Sequence, residues 1–429
     1  MPGGRSERTL NRVETPTLRV LRLCSVFETP TGSPDPAAIR FDPVGGMQTH
    51  TGELTRALDA LGVQQFIVTT RPPGTPRFAP FAGQARVVRL GIPITTCRQF
   101  YAVPAARLLP RLAAWADLVH AHLGEDIAVV PLALVAARRH RLPLVLTVHT
   151  SVRHTLAIRD GRSALLKLAG GWWESRGEHA ADRVIALTPR LAKILVAEGV
   201  PAERVHVIPS GVRPALFAAA DPVDPLAGLP RPRIVFLGRL HAQKNVDLLL
   251  LAAARLRYPA HVVVVGDGPD RQRLEELRDR LGLRRRVTFL GFVGHERVPA
   301  LLRGADVLVM PSRYEELGTA LVEAMHCGLP IVATRTGGIP DLVGDGVSGI
   351  LVPPGDAGGI ADAVDRLVAD PALRRQLGEH GRERAAGYRW DRLGAQVLRV
   401  YRSAVTTGRT IPPRDSRAPT RPPSSPHTP

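Results

Sequence analysis

Apolar residues along this chain fall into short runs rich in β-branched side chains, separated by stretches with helical spacing. In the first half, Leu18–Val26, Gln65–Thr70, Ala85–Leu90, Asp117–His122, Leu144–His149, Arg183–Leu187 and Val205–Ile208 predict strands. A second series follows at Ile234–Gly238, His261–Gly266, Val287–Leu290, Ala305–Pro311 and Leu329–Ala333. Strand, loop and helix in alternation, with almost continuously apolar strands, indicate parallel sheets covered by helices. Between Arg213 and Arg233 a segment rich in Pro, Ala and Asp has no periodicity and separates the two series. The pattern therefore predicts an α/β chain with two doubly wound domains, residues 17–212 and 233–388, joined by a linker at 213–232. Sheets of this kind bind ligands at the carboxyl ends of their strands, so the active site belongs in a cleft between the domains.

Four strand ends carry residues suited to chemistry. After the predicted strand Ala305–Pro311, a helix is expected from near Leu317, with Glu315 in the loop and Glu323 about two turns along on the same side. Backbone N–H groups of Gly318, Thr319 and Ala320 lie between them, where a helix start favours an anion. Two glutamates at this spacing, taken alone, equally describe the surface of an amphipathic helix. Arg239 and Lys244 follow the strand Ile234–Gly238 and offer fixed cations for phosphate oxygens. Gly45 and Gly46 precede a helix after the first strand, and glycine lets backbone approach a ligand closely. His149 closes the strand Leu144–His149 on the cleft side. His120 and His122 have strand spacing but no third ligand or carboxylate cluster behind them, so no metal site is expected.

The stretch from Pro311 to Gly338 resembles the Glu-x7-Glu signature of retaining, family-4-type glycosyltransferases of the GT-B fold, in which two Rossmann-like domains face each other across a cleft. Pro-Ser, Glu315, Gly318, Glu323-Ala-Met, Gly-Leu-Pro and the Gly-Gly turn at 337–338 all match, and the likeness extends from about Leu18 to Tyr401. Leu317 stands where many members carry Phe, Asn245 replaces a frequent Gly, and Ser210 replaces the Asn of a Pro-Asn-Gly-Val strand end. The resemblance implies that 17–212 binds the acceptor, that 233–388 binds a nucleotide sugar, and that a crossover helix at 389–404 returns to the first domain. It further implies that Glu315 holds the donor sugar, Glu323 the ribose, and Arg239, Lys244 and the Gly46 amide the diphosphate. Gly45, Val293, Gly318, Thr319 and Ala320 join the donor site, and His149 lies near the sugar's reacting end. Val265-Gly-Asp-Gly-Pro269 shapes the cleft without reacting. With Arg and Lys at the leaving phosphate, neither a metal nor another cofactor is expected.

Composition changes this picture little. The net charge is +18, from 57 basic and 39 acidic residues, which invites nucleic acid or an anionic surface as partner. Only Lys167, Lys193 and Lys244 are lysines, so the basicity is an arginine bias of the bacterial kind rather than a patch, and no nucleic-acid motif accompanies it. Cys24, Cys97 and Cys327 are too few and scattered for a disulfide framework, which favours a reducing, cytoplasmic setting. The longest mainly apolar run, Ala128 to Ala137, falls far short of the roughly 20 residues that span a bilayer. The end of the chain, 406–429, is Pro, Ser, Thr and Arg and is expected to be disordered.

The acceptor stays open. Gly-Gly-Met-Gln and Tyr-Glu-Glu-Leu-Gly look like aminocyclitol glycosyltransferases of antibiotic pathways, which use UDP-N-acetylglucosamine and a small-molecule acceptor. A lipid or polysaccharide acceptor at an anionic membrane is the alternative. Arg98–Trp115 mixes arginine with apolar and aromatic residues as an interfacial helix does, although its prolines argue against one continuous helix. A nucleotide-sugar epimerase of the same architecture would need an acid/base pair, and a pyridoxal-dependent phosphorylase a Schiff-base lysine that Lys244, better explained by phosphate, does not supply. The oligomeric state is not legible.

Overall fold

The computed structural model describes residues 17–28, 46–92, 100–124, 126, 128–151, 153, 161–218 and 224–407. The first sheet contains β1 (Arg19–Cys24), β2 (Gln64–Thr70), β3 (Phe78–Ala82), β4 (Ala85–Leu90), β5 (Leu118–Leu123), β6 (Leu144–Val148), β7 (Arg183–Ala186) and β8 (Val205–Val207). Their spatial order is β3-β4-β2-β1-β5-β6-β7-β8. The second sheet contains β9 (Arg233–Leu237), β10 (His261–Val265), β11 (Val287–Gly291), β12 (Val307–Met310), β13 (Ile331–Thr334) and β14 (Gly349–Val352), in the order β11-β10-β9-β12-β13-β14. Both sheets are doubly wound, with the order reversing beside β1 in one and beside β9 in the other, and they have the GT-B architecture.

Two strands escape the periodicity, and one breaks the parallel rule. β3 pairs antiparallel with β4 at the sheet edge. It carries Pro80, which an edge strand tolerates because its missing N–H faces no partner, and it is only partly buried, so no apolar run marks it. β14 has four residues and opens on Gly349, too short to separate from a turn by pattern alone. The central strands are buried on both faces, as the unbroken burial of Leu118–Leu123, Leu144–Val148 and His261–Val265 records, whereas the outer strands β8 and β11 are only partly buried.

The prolines near residue 104 do not interrupt the chain as their sequence suggests. Ala102–Trp115 is one helix with Pro110 inside it. Pro104 lies in the first turn, where a missing N–H costs nothing, and the interior Pro110 carries a penalty of about 3 kcal/mol. Burial of Ala105, Leu109, Leu112 and Ala113 against the first core offsets that penalty. The linker also holds more structure than its composition indicates: Pro214–Ala218 is a short helix, and Leu226 is fully buried in the second core.

The last helix, Trp390–Thr407, starts one residue later and ends three residues beyond the expected 389–404, and it packs on the first domain. Trp390, Leu393, Val397, Tyr401 and Ala404 share a core with Val20, Leu54, Leu58, Val145 and Ile185. At its start the two interdomain crossings of the chain pair with each other. Val212 N–H donates to the Tyr388 carbonyl at 2.9 Å, and Trp390 N–H to the Val212 carbonyl at 3.0 Å. Among the described residues no helix is long and apolar enough to cross a membrane. The tail from residue 408 onward, and with it the expectation of disorder there, lies outside the described residues.

Trp390 is 2% exposed at the root of this helix. Trp390→Ala should therefore cost about 3–5 kcal/mol, measured by denaturant unfolding followed by circular dichroism. An unchanged midpoint would mean that the helix is not anchored there.

A candidate active site between the two sheets

The carboxyl ends of the two sheets enclose a cavity of about 350 Å³. Its second-domain wall is built from two loops stitched together. The loop after β9 carries Arg239 and Lys244, and the loop after β12 carries Glu315. Gln243 Nε2 donates to the Tyr314 carbonyl at 3.1 Å, and Arg313 N–H donates to the Gln243 carbonyl at 2.8 Å, which holds the loops in register. Across that seam the Lys244 ammonium and the Glu315 carboxylate form an ion pair. Arg239 lines the same cavity, and no described residue accepts a hydrogen bond from its guanidinium. One cation is thus neutralised within the site and one is open to it.

The helix after this loop runs from Thr319 to His326, two residues later than its sequence suggests. Gly318 is the cause. It occupies the left-handed region at φ 75°, where a side chain is costly, and turns the chain into the helix. Thr319 and Ala320 then line the cavity with first-turn N–H groups that have no intrahelical partner. Gly46 approaches them from the first domain, so close that a Cβ there would stand 3.0 Å from Thr319 Oγ1. Leu317, 5% exposed, and Val293 also line the cavity, whereas Gly45 lies outside the described residues.

Glu323 is buried one helical turn on, and its Oε1 accepts from His295 Nε2 at 2.9 Å. Burial pushes the His295 imidazole down, but the hydrogen bond and charge of Glu323, with Glu53 and Glu28 of the first domain adding, hold it above its ordinary value. The neighbouring Glu316 serves a different purpose. It accepts from the Thr188 hydroxyl at 2.5 Å, the Tyr314 hydroxyl at 2.5 Å and Arg190 Nη1 at 3.4 Å. Thr188 and Arg190 belong to the first domain, so Glu316 ties the two halves together at the floor of the cleft.

The first-domain wall presents imidazoles. His149 follows β6 and His50 stands in the helix Gly46–Ala60; both line the cavity with Gln48, Thr49 and Ser210. Ser210 Oγ is buried without a hydrogen-bond partner among the described residues. Burial, with Arg22 adding, pushes His149 down to about 3. His50, His120 and His122 are likewise held well below their ordinary value, burial first. Nitrogens of His50, His122 and His149 lie within 4.8 Å of one another, a spacing that fits a metal ion. The donor set does not fit one. His122 Nε2 already faces the Arg22 guanidinium at 2.8 Å, which leaves the His122 proton on Nδ1, the nitrogen a metal would need, beside a fixed positive charge. His120 points away, to the Tyr401 hydroxyl at 2.6 Å and Thr147 Oγ1 at 2.8 Å.

The expected residues thus collect around one cavity: Gly46, His149, Arg239, Lys244, Val293, Glu315, Gly318, Thr319, Ala320 and Glu323. Sequence reasoning missed His50, His295, Glu316 and Arg22. Arg22 had a signal, a charge in the middle of the apolar strand Arg19–Cys24; Glu316 had none, since its partner Thr188 lies 128 residues away.

Comparison with known proteins agrees with this geometry. The family described as Glycosyltransferase Family 4 matches residues 44–216, and that described as Glycosyl transferases group 1 matches 222–384. A 2-deoxystreptamine N-acetyl-D-glucosaminyltransferase of Streptomyces fradiae is 33% identical over 386 residues, covering 84% of this chain and 90% of its own. A D-inositol 3-phosphate glycosyltransferase of Streptomyces bingchenggensis is 32% identical over 447 residues, covering 94% of this chain and 93% of its own. Among solved structures, Anabaena HepE in complex with UDP-glucose superposes with a TM-score of 0.67 at 21% identity, covering 90% of this chain and 100% of its own.

Gly337 supports Glu315 from behind: at φ 56° a Cβ on it would stand 1.9 Å from the Glu315 carbonyl oxygen. Gly337→Ala should displace that loop and lower the catalytic rate about a hundredfold, with the circular dichroism spectrum unchanged. A full rate would show that Glu315 tolerates the shift.

Proposed function

The chain belongs to the group 1 and family 4 glycosyltransferases of the GT-B fold, and from that premise we propose that it transfers a hexosyl group from a UDP-sugar to a hydroxyl of a small cyclitol, with retention of configuration. The observation that carries the reading is the distribution of charge in the cleft. The second-domain wall supplies cations and carboxylates, Arg239, Lys244, Glu315 and Glu323, while the described first-domain wall supplies none of either kind.

In this reading Arg239, Lys244 and the Gly46 amide stabilise the diphosphate as it departs, because charge develops there in the transition state. Glu323 holds the ribose and Glu315 the hydroxyls of the donor sugar. Inversion would need a base on the acceptor side. Among the described residues the cavity's carboxylates, Asp267, Glu315, Glu316 and Glu323, all belong to the second domain. The imidazoles opposite are poor bases, with His149 near 3. In this reading the departing phosphate itself takes the acceptor's proton on the front face. The arginine and lysine at the phosphates do the work that a divalent ion does elsewhere, so the reaction proceeds without a metal.

UDP as the carrier is supported by the HepE complex, and an aminocyclitol acceptor with N-acetylglucosamine as the sugar by the Streptomyces fradiae relative. The second reading, a cyclitol phosphate acceptor, is favoured by the inositol-phosphate relative and its 94% coverage of this chain. Parallel assays with 2-deoxystreptamine and inositol phosphate as acceptors decide between them.

Two outcomes test the mechanism. The product made from an α-linked donor should be α-linked, read from the anomeric proton coupling by NMR; a β-linked product would overturn retention. In the same experiment Glu315→Gln should lower kcat by roughly a hundredfold or more yet tighten binding of the product diphosphate, because it releases Lys244 from its ion pair.

Lys244→Ala should cost a similar factor in kcat, about a hundredfold, while EDTA leaves the wild type active. Loss of activity in EDTA, restored by a divalent cation, would replace the metal-free assignment.

A further inference from the structure

Arg22 is the anomaly of the first domain. It sits in the middle of β1, is 0% exposed, and has no carboxylate partner among the described residues. Its Nη1 donates to Thr55 Oγ1 at 2.6 Å, Gln65 Oε1 at 3.2 Å and the Thr51 carbonyl at 3.4 Å. Nη2 reaches the Thr51 carbonyl at 3.4 Å and His122 Nε2 at 2.8 Å, and Nε has no partner among the described residues. Burying a guanidinium without an acid is expensive, and an alkyl side chain in such a strand would pack at lower cost. A function therefore has to account for it.

That function can be read from the direction of its hydrogen bonds. A guanidinium has five donors, no acceptor and no neutral form in proteins, so His122 Nε2 must accept. The proton of the neutral His122 ring is then on Nδ1, and Nδ1 lies 3.1 Å from His149 Nε2. His149 Nε2 must accept in turn, which places its proton on Nδ1. That nitrogen has no partner among the described residues, and the ring lines the cleft. Protonating His149 on Nε2 would set two N–H groups against each other.

We propose that Arg22 is a positioning residue that acts through His122 to fix His149 as its Nδ1–H tautomer, so that the cleft meets a neutral hydrogen-bond donor and not a base. The inference deepens the transferase reading and rests on it for the statement that the donated proton meets an oxygen of the sugar or acceptor. The groups facing the chain of imidazoles support its neutrality: Arg22 and Cys24 from β1, His120 from β5, Thr147 from β6, His50 from the helix Gly46–Ala60, and Tyr401 and Trp390 from the last helix. None is a carboxylate. In this setting a donor of fixed direction is obtained from a histidine without the proton exchange that an unconstrained imidazole undergoes near neutral pH.

The test is long-range proton–nitrogen NMR of the imidazoles in the full-length, substrate-free protein, with His122 and His149 assigned from single His→Gln variants. The wild type should show His149 protonated on Nδ1 alone, unchanged between about pH 5.5 and 8 for a ring whose unperturbed value is about 6.5. Arg22→Met and, independently, His122→Asn should release it, so that the still-buried, neutral His149 populates both tautomers. In both variants kcat should fall in proportion to the loss of the Nδ1–H form, alike across that pH range, with the donor KM little changed. Arg22→Lys, which keeps a donor that cannot accept, should restore the wild-type tautomer. Wild-type His149 protonated on Nε2, or titrating, would overturn the proposal without any variant, as would an unchanged His149 in a folded Arg22→Met protein. These spectra are recorded without substrate, so they stand apart from the transferase reading, which product analysis tests separately.

Discussion

A parallel sheet cannot leave a face to water, and this single constraint organises the molecule. Parallel neighbours need a connection that crosses back over the sheet, in most cases here a helix, so every strand except the antiparallel β3 delivers its following loop to the same edge. Two such sheets with carboxyl edges opposed collect loops from distant parts of the chain into one space. His149 follows β6, Ser210 follows β8, Arg239 and Lys244 follow β9, Val293 follows β11, and Glu315 follows β12. The candidate site residues are thus carried on loops that leave the carboxyl ends of strands, most of which are anchored in the two cores.

Within that frame, electrostatics divides the labour between the domains. Lys244 and Glu315 satisfy each other across two stitched loops, and in the proposed reaction the incoming donor exchanges that pair for two others, ammonium to phosphate and carboxylate to hydroxyl. The exchange keeps both groups charged and partnered, which avoids the penalty of holding either one ready in isolation. On the opposite wall, burial and the Arg22 guanidinium hold the histidines neutral. Glu316 stands between, accepting from Thr188 of one domain and Tyr314 of the other. Adjacent glutamates in one motif therefore have separate tasks, one facing the ligand and one joining the halves.

The sequence was most informative where function is local in the chain. From Pro311 to Gly338 a strand, a loop, a helix start and a support turn are contiguous, so residue order alone places Glu315, Gly318 and Glu323 in one site. Only the helix start moved, because the left-handed Gly318 delays it to Thr319. Contacts between remote segments were silent. Arg22 meets His122 from 100 residues away, and neither residue's neighbours mention the other. Pro110 misled for a related reason: a local rule about helix breaking lost to the burial of four residues of the same helix in the core. β3 was hidden because an edge strand needs no apolar run, and Pro80 reads as a turn.

The paired crossings at Val212 and Arg389 have a mechanical consequence. A single connection between two bodies acts as a tether and permits swing, twist and slide. Here two segments cross side by side and hydrogen-bond to each other, from Val212 N–H to the Tyr388 carbonyl and from Trp390 N–H back to the Val212 carbonyl. Torsion would shear that ribbon, and translation would stretch one segment against the other. Rotation about the line through the ribbon is therefore the relative displacement of the two domains that this pairing resists least, and it is the displacement that would change the approach of Gly46 to Thr319.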